Sequence, residues 1–325
     1  MSKKIMAALF ITVVVLSFIL TSCNTIATPT TTQPTASATA EPTPTNTPEP
    51  TATPKPLYHF DRYALPQYAK EYLGKDLWDD YNTFLDALYE GETVVTFTKT
   101  KSMDQLEKII RTMCCFFIPK DFISGKKYLF ADSEPFTFDK ETKTLTIKYL
   151  LPKEEYVKKV NAFVQTMESL INEHVTDMNN KFETAKEMYL CVVNHLDYVE
   201  DYTLTTYDAF MSKLALCEHY AKMYRYLLVQ AGIENYLFNA ATDGDMYHMW
   251  NIVRLGDDLY HMDPTWDCGN LFFFGMDDTK SKAEHKYDVK TQYANDALLN
   301  TNLTELVCDS DKYNDYWIDH NPTAE

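Results

Sequence analysis

Between residues 24 and 56 the chain places 8 Pro and 12 Thr in 33 positions, with no hydrophobic period. Such a stretch buries too little apolar surface to offset the entropy of ordering it, and its prolines favour extended polyproline II conformations. The composition predicts a disordered stalk with a reach on the order of 100 Å, at about 3.1 Å per residue. Folding is thereby confined to residues 57–325, which is long enough for one large or two small domains with real cores.

Ahead of the stalk, Lys3 and Lys4 precede an apolar run over 5–20, which is short for a membrane-spanning helix and ends in Leu20-Thr21-Ser22-Cys23. That ending resembles a bacterial lipobox. The resemblance implies that residues 1–22 are a signal peptide, that Cys23 is lipidated and begins the mature chain, and that the protein is held at the extracellular face of the cell membrane. An uncleaved N-terminal anchor is the alternative, and it leads to nearly the same location. Without residues 1–22 the chain keeps 28 basic and 47 acidic side chains, a formal net charge of −19. No basic stripe is left to neutralise phosphates, so nucleic acid is excluded as a partner. Cationic substrates such as amines or Lys-rich proteins suit this field, and the same charge also serves solubility.

Residues 57–151 read as an α+β accessory domain without recognisable chemistry. Leu77, Trp78, Tyr81, Phe84, Leu85, Leu88 and Tyr89 form a helical apolar stripe that stops at Gly91. Ser102-Met103-Asp104-Gln105 is a capping box for a helix through Ile110, and strands are expected over 93–98, 128–131 and 144–150. Residues 152–325 open with two expected helices, 154–175 and 182–195, which lead to the chemistry.

That chemistry rests on three runs in order: Leu216-Cys217-Glu218-His219-Tyr220-Ala221, His248-Met249-Trp250-Asn251 and Asp263-Pro264-Thr265-Trp266-Asp267. The apolar spacing of Tyr220, Ala221, Tyr224, Leu227, Leu228 and Ala231 predicts a helix stopped by Gly232, with Cys217 in its first turn. Unpaired N–H groups and the positive end of the helix dipole favour a thiolate there. Residues 246–253 and 259–262 read as strands around a Gly256-Asp257-Asp258 turn, a hairpin that sets His248 beside Asp263. Nucleophile, base and orienting carboxylate are the three parts a thiol acyl-transfer site needs.

The arrangement resembles the transglutaminase-like superfamily, the papain-related thiol enzymes, over roughly residues 182–266, and the His-x-Trp-Asn and Asp-Pro-Thr-Trp-Asp runs resemble its extracellular bacterial branch. The resemblance implies an α+β core with a Cys-bearing helix packed on an antiparallel sheet. It makes Cys217 the nucleophile, His248 the general base and acid and Asp263 the orienting carboxylate. Trp250, Asn251, Pro264 and Trp266 become supports of the site. Tyr198, where the family often carries an aromatic residue, would shape the oxyanion site or simply pack. Where bacterial members often have Gly, this chain has Lys213 and, two residues after the nucleophile, the bulky His219.

The expected activity is cysteine protease or amidohydrolase chemistry on protein or peptide substrates, ahead of amine crosslinking. A non-catalytic module that binds peptide or cell-wall ligands is the alternative, and a structural or sensory lipoprotein a further one. No cofactor or metal is implied, because Cys114, Cys115, Cys191, Cys268 and Cys308 lack ligand spacing and residues 309–315 match a calcium loop poorly. Cys268 and Cys308 could pair outside the cell.

Overall fold

The computed structural model describes residues 57–124, 135–242, 246–267, 269–287, 293–294 and 306–320. Cys23, the stalk, the strand expected over 128–131 and Cys268 lie outside the described residues. Within them, helices and antiparallel sheets combine into an α+β architecture. Among the described residues no helix is long and apolar enough to cross a membrane.

The first part of the fold comprises α1 (Gln67–Leu73), α2 (Trp78–Glu90), β1 (Val94–Thr96), α3 (Met103–Phe116), α4 (Asp121–Ser124), β2 (Phe136–Asp139) and β3 (Thr144–Ile147). The α2 stripe buries Tyr81, Phe84, Leu85, Leu88 and Tyr89 as the spacing predicts. Helix α3 opens where the capping box expects, with the Ser102 hydroxyl accepting from the Gln105 N–H at 3.3 Å. It runs past Ile110 because Thr112, Met113 and Phe116 continue its buried face. Strand β3 pairs antiparallel with both β1 and β2. It ends early because the Lys148 N–H turns to the Pro135 carbonyl and the Leu150 N–H to that of Phe122.

A buried carboxylate fastens this part together. Asp80, 1% exposed on α2, accepts from the N–H and hydroxyl of Thr98 (2.8 and 2.9 Å), the N–H of Lys99 (2.8 Å), and the N–H and hydroxyl of Thr100 (2.6 and 2.8 Å). Burial pushes its carboxyl up, but these donors outweigh burial and hold it below its ordinary value. The surrounding apolar cluster also takes in Tyr156, Val160 and Val229 from later in the chain.

Next come α5 (Lys153–His174), α6 (Lys181–His195), β4 (Asp197–Tyr198), α7 (Thr206–Ser212), β5 (Leu214–Ala215) and α8 (Cys217–Gln230). Strands β4 and β5 form a short parallel pair that aligns Tyr198 with Ala215. The remainder is a five-stranded antiparallel sheet ordered β10-β6-β7-β8-β9, built from β6 (Asn235–Thr242), β7 (Met246–Leu255), β8 (Asp258–Met262), β9 (Phe274–Met276) and β10 (Tyr293–Ala294). Helix α9 (Asp278–His285) follows β9, and α10 (Tyr316–Asp319) closes the described chain.

The expected hairpin is β7–β8, closed between the paired Leu255 and Asp258 by Gly256 at φ 67°, a left-handed conformation suited to a two-residue turn. Alternation along β7 sends Met249 and Val253 to the apolar clusters that contain α8 residues, and Trp250 and Ile252 to the opposite cluster with Phe238, Tyr287 and Cys308. Residues 306–320 lie against β9 and α9. The Asp278 N–H donates to the Cys308 carbonyl at 2.7 Å and the Asp277 N–H to Asn314 Oδ1 at 2.8 Å. Gly275, at φ 80°, lies so close to this segment that an added Cβ would fall 2.5 Å from the Tyr313 Cβ.

Candidate thiol active site

Cys217 is the first residue of α8, partly accessible and a free thiol. Helix α8 is tied down immediately around it. The Leu216 N–H donates to His219 Nδ1 at 3.1 Å, and one turn on the Ala221 carbonyl accepts from Asn251 Nδ2 at 3.0 Å. His219 therefore folds back as a helix cap, 1% exposed, instead of standing beside the thiol in the path of a substrate. Asn251 links α8 to β7, which fixes the thiol relative to the imidazole three residues before it in the strand.

His248, near the start of β7, is 4% exposed, and its Nε2 lies 2.6 Å from Oδ2 of the fully buried Asp263. A ring that donates through Nε2 presents Nδ1 elsewhere, and Cys217 is close enough to act on its charge. Burial pushes the His248 imidazolium down, yet the charge and hydrogen bond of Asp263, with a smaller contribution from Cys217, raise it to about 9. Burial pushes the Asp263 carboxyl up, while His248 and then His285 hold it well below the usual carboxylate range. Together the pair keeps the imidazole charged near neutral pH, the form that stabilises a neighbouring thiolate.

The expected supports gather around this pair. Trp266 stacks on His248 with centroids 4.5 Å apart and planes 16° from parallel. Pro264 is buried in the turn directly after Asp263, where the Thr265 N–H holds Asp263 Oδ1 at 2.9 Å. Trp250 donates its indole N–H to His261 Nδ1 at 2.9 Å. Tyr198 is 50% exposed; its register partner Ala215 is two residues from Cys217, and burial and then the thiol's charge push its phenol up.

Two residues of the site escaped sequence reasoning. The Tyr189 hydroxyl of α6 lies 2.8 Å from the Asp263 carbonyl and 2.9 Å from Asp267 Oδ2, and Asp267 in turn collects the N–H groups of Asn270, Leu271 and Phe273. The second is His285, the last residue of α9, whose Nε2 stands 3.0 Å from the same Asp263 Oδ2 that faces His248. Tyr189 was concealed within an apolar helix pattern, and His285 in a polar segment without a motif.

The other described cysteines have different surroundings. Burial pushes the Cys114 thiol up to about 11 and the Cys191 thiol to about 12, and raises Cys308 as well. Cys308 is a free thiol.

Among the described residues two clusters have the composition of metal sites: His248–Asp263–His285 and His261–Asp278–Cys308. The second is a poor fit. His261 Nδ1 already accepts from Trp250, so a metal at Nε2 would displace the proton facing Asp278 at 2.8 Å and leave an imidazolate. In the first, the 2.6 Å separation of His248 Nε2 from Asp263 Oδ2 is a direct hydrogen bond. Two ligands on one tetrahedral zinc, at about 2.0–2.2 Å each, stand roughly 3.3 Å apart.

No family model and no curated protein matches the chain. Among solved structures it is similar to a candidate cysteine protease from Cytophaga hutchinsonii, with 13% identity, a TM-score of 0.25, and coverage of 31% of this chain and 37% of that one. At that score the likeness is too loose to define a shared fold.

Proposed function

We propose that the protein is a thiol acyl-transfer enzyme with a transglutaminase-like core, acting as a cysteine protease or amidohydrolase at peptide or side-chain amide bonds. The observation that carries this reading is a buried imidazole, His248, held 2.6 Å from a carboxylate that water does not reach and raised in part by a partly accessible thiol at a helix N-terminus. Cys217 attacks the carbonyl carbon, and the first-turn N–H of Cys217 receives the developing oxyanion. His248 gives its proton to the departing amine or ammonia and then takes one from the water that resolves the thioester. An amine in place of water would give an isopeptide link, through the same residues.

In this proposal residues 23–56 form a stalk from lipidated Cys23, residues 57–151 flank the cleft as an accessory domain, and 152–325 carry the catalysis at the extracellular face of the membrane. The test is Cys217 alkylation by iodoacetamide from pH 5 to 9, read by peptide mass mapping, in the wild type and in His248→Ala. Fast labelling below pH 7 that collapses in His248→Ala is the expected result, followed by a screen for peptide hydrolysis and amine incorporation. Slow labelling that rises only near the free-thiol value of about 8.5 and ignores His248 would overturn the enzyme reading. It would leave the cleft as a non-catalytic binding module.

A further inference from the structure

Asp263 Oδ2 is contacted by two imidazoles: His248 Nε2 at 2.6 Å and His285 Nε2 at 3.0 Å. His285 has its own fixed seat. It is fully buried and lies between Trp250 (centroids 4.4 Å apart, planes 12°) and Trp266 (4.5 Å, 17°). Its Nδ1 stands 3.0 Å from the Ser281 carbonyl oxygen of the preceding turn of α9. A carbonyl oxygen and a carboxylate can only accept, so both His285 nitrogens face acceptors. A neutral ring donates to one of them, and a doubly protonated ring donates to both.

The orientation of Asp263 does not depend on this second imidazole. The Thr265 N–H holds Oδ1 at 2.9 Å, the Asp263 N–H donates to the Phe273 carbonyl at 3.0 Å, and the Tyr189 hydroxyl fixes the Asp263 carbonyl. What His285 alone adds is a second donor on the oxygen that faces His248. A carboxylate that shares this oxygen holds the first imidazolium less tightly.

We propose that His285 is a positioning residue of the thiol site, acting through Asp263: it draws off part of the carboxylate's hold on His248 and so sets the upper pH limit of the thiolate–imidazolium pair. The significance of that limit for catalysis rests on the thiol reading above, whereas the coupling between the two histidines does not. The titratable groups facing His285 are Asp263 at the end of β8, His248 on β7, His261 on β8 with its partner Asp278, and Tyr287 just after α9. The remaining ring neighbours, Trp250, Trp266 and Phe273, are neutral.

The experiment follows the His248 ring resonance by NMR as a function of pH in the full chain, assigned by its disappearance in His248→Ala. The samples are wild type, His285→Phe, which refills the aromatic sandwich without a donor, and His285→Gln, which retains an amide donor. The expected midpoint for His248 rises by about one pH unit in His285→Phe, a tenfold change in its protonation equilibrium, and by less in His285→Gln. A midpoint that stays put or falls in the variants overturns the proposal, as does stoichiometric zinc retained by the wild type and lost from both. If His285→Phe does not fold, the His285→Gln shift decides alone. Failure of the thiol reading shows separately, as slow Cys217 alkylation in the wild type whatever His285 does.

Discussion

Asp80 and Asp263 are both buried carboxylates held below their ordinary values, and they are held by opposite kinds of neighbour. Asp80 is ringed by three backbone N–H groups and two hydroxyls, none of which changes charge between pH 2 and 10. Asp263 takes one backbone N–H and two imidazoles, side chains that can gain and lose a proton as the N–H and hydroxyl donors of Asp80 cannot. Permanent donors make a carboxylate into a fastener, and titratable donors make it part of a device. Backbone strain is distributed in the same way among the described residues. Of the four non-glycine residues at positive φ, only Lys143 lies in the first part of the fold, whereas Lys213, Leu271 and Lys286 lie around the thiol site.

The largest effect expected from breaking this contrast is in Asp263→Asn. An amide cannot serve both imidazoles, and peptide hydrolysis by the site falls by about 10⁴-fold. The His248 limb also moves down from about 9 to below its usual 6.5, because burial then acts without the opposing charge. A pH–rate profile that keeps its alkaline limb near 9 would remove Asp263 from the relay.

Second is Asp80→Asn. Replacing a carboxylate matched to five donors costs about 3 kcal/mol of stability, measured as the urea midpoint, while Cys217 alkylation is unchanged. The pH dependence carries a definite sign. Because the folded-state value is lowered, the contribution of Asp80 is complete above the ordinary carboxylate value of about 4 and is lost as pH falls through the folded-state value. Asp80→Asn therefore flattens the acid limb of the stability curve. Slower alkylation in this variant would mean that the two regions are coupled and the contrast is false.

The smallest effect is at Lys213, in the segment that feeds the nucleophile. It ends α7 at φ 68°, a conformation that costs a side chain roughly 1 kcal/mol more than glycine. Lys213→Gly raises the unfolding free energy measured by urea titration by about that amount, and unchanged stability would show that the strain is relieved elsewhere.

Much of the site was legible because its members lie in short runs. The helix from Cys217, the hairpin about Gly256 and the adjacency of His248 and Asp263 follow from local periodicity and one turn signal. His285 was not legible: it reaches Asp263 only because α9 packs beside β8 and β9, a long-range contact without a sequence period. Tyr189 fits an apolar stripe until its hydroxyl is followed to Asp263 and Asp267. The departure at His219 was visible, but its direction was not, since a back-turned ring that caps the helix depends on a rotamer. Strand β6 was missed because residues 235–242 include Asn235 and Asn239, which interrupt an otherwise strand-like run.

Residues 306–320 fasten α9, and with it His285, to the rest of the sheet through Cys308 and Asn314. At roughly 5–20 residues per second, Asn314 leaves the ribosome about 1–6 s after His285. During that interval the nascent chain already contains the thiol, its imidazole and its carboxylate, while the wall that seats the second histidine has no outer tie. The order of synthesis therefore completes the seat of the second histidine after the thiol, imidazole and carboxylate that it adjoins.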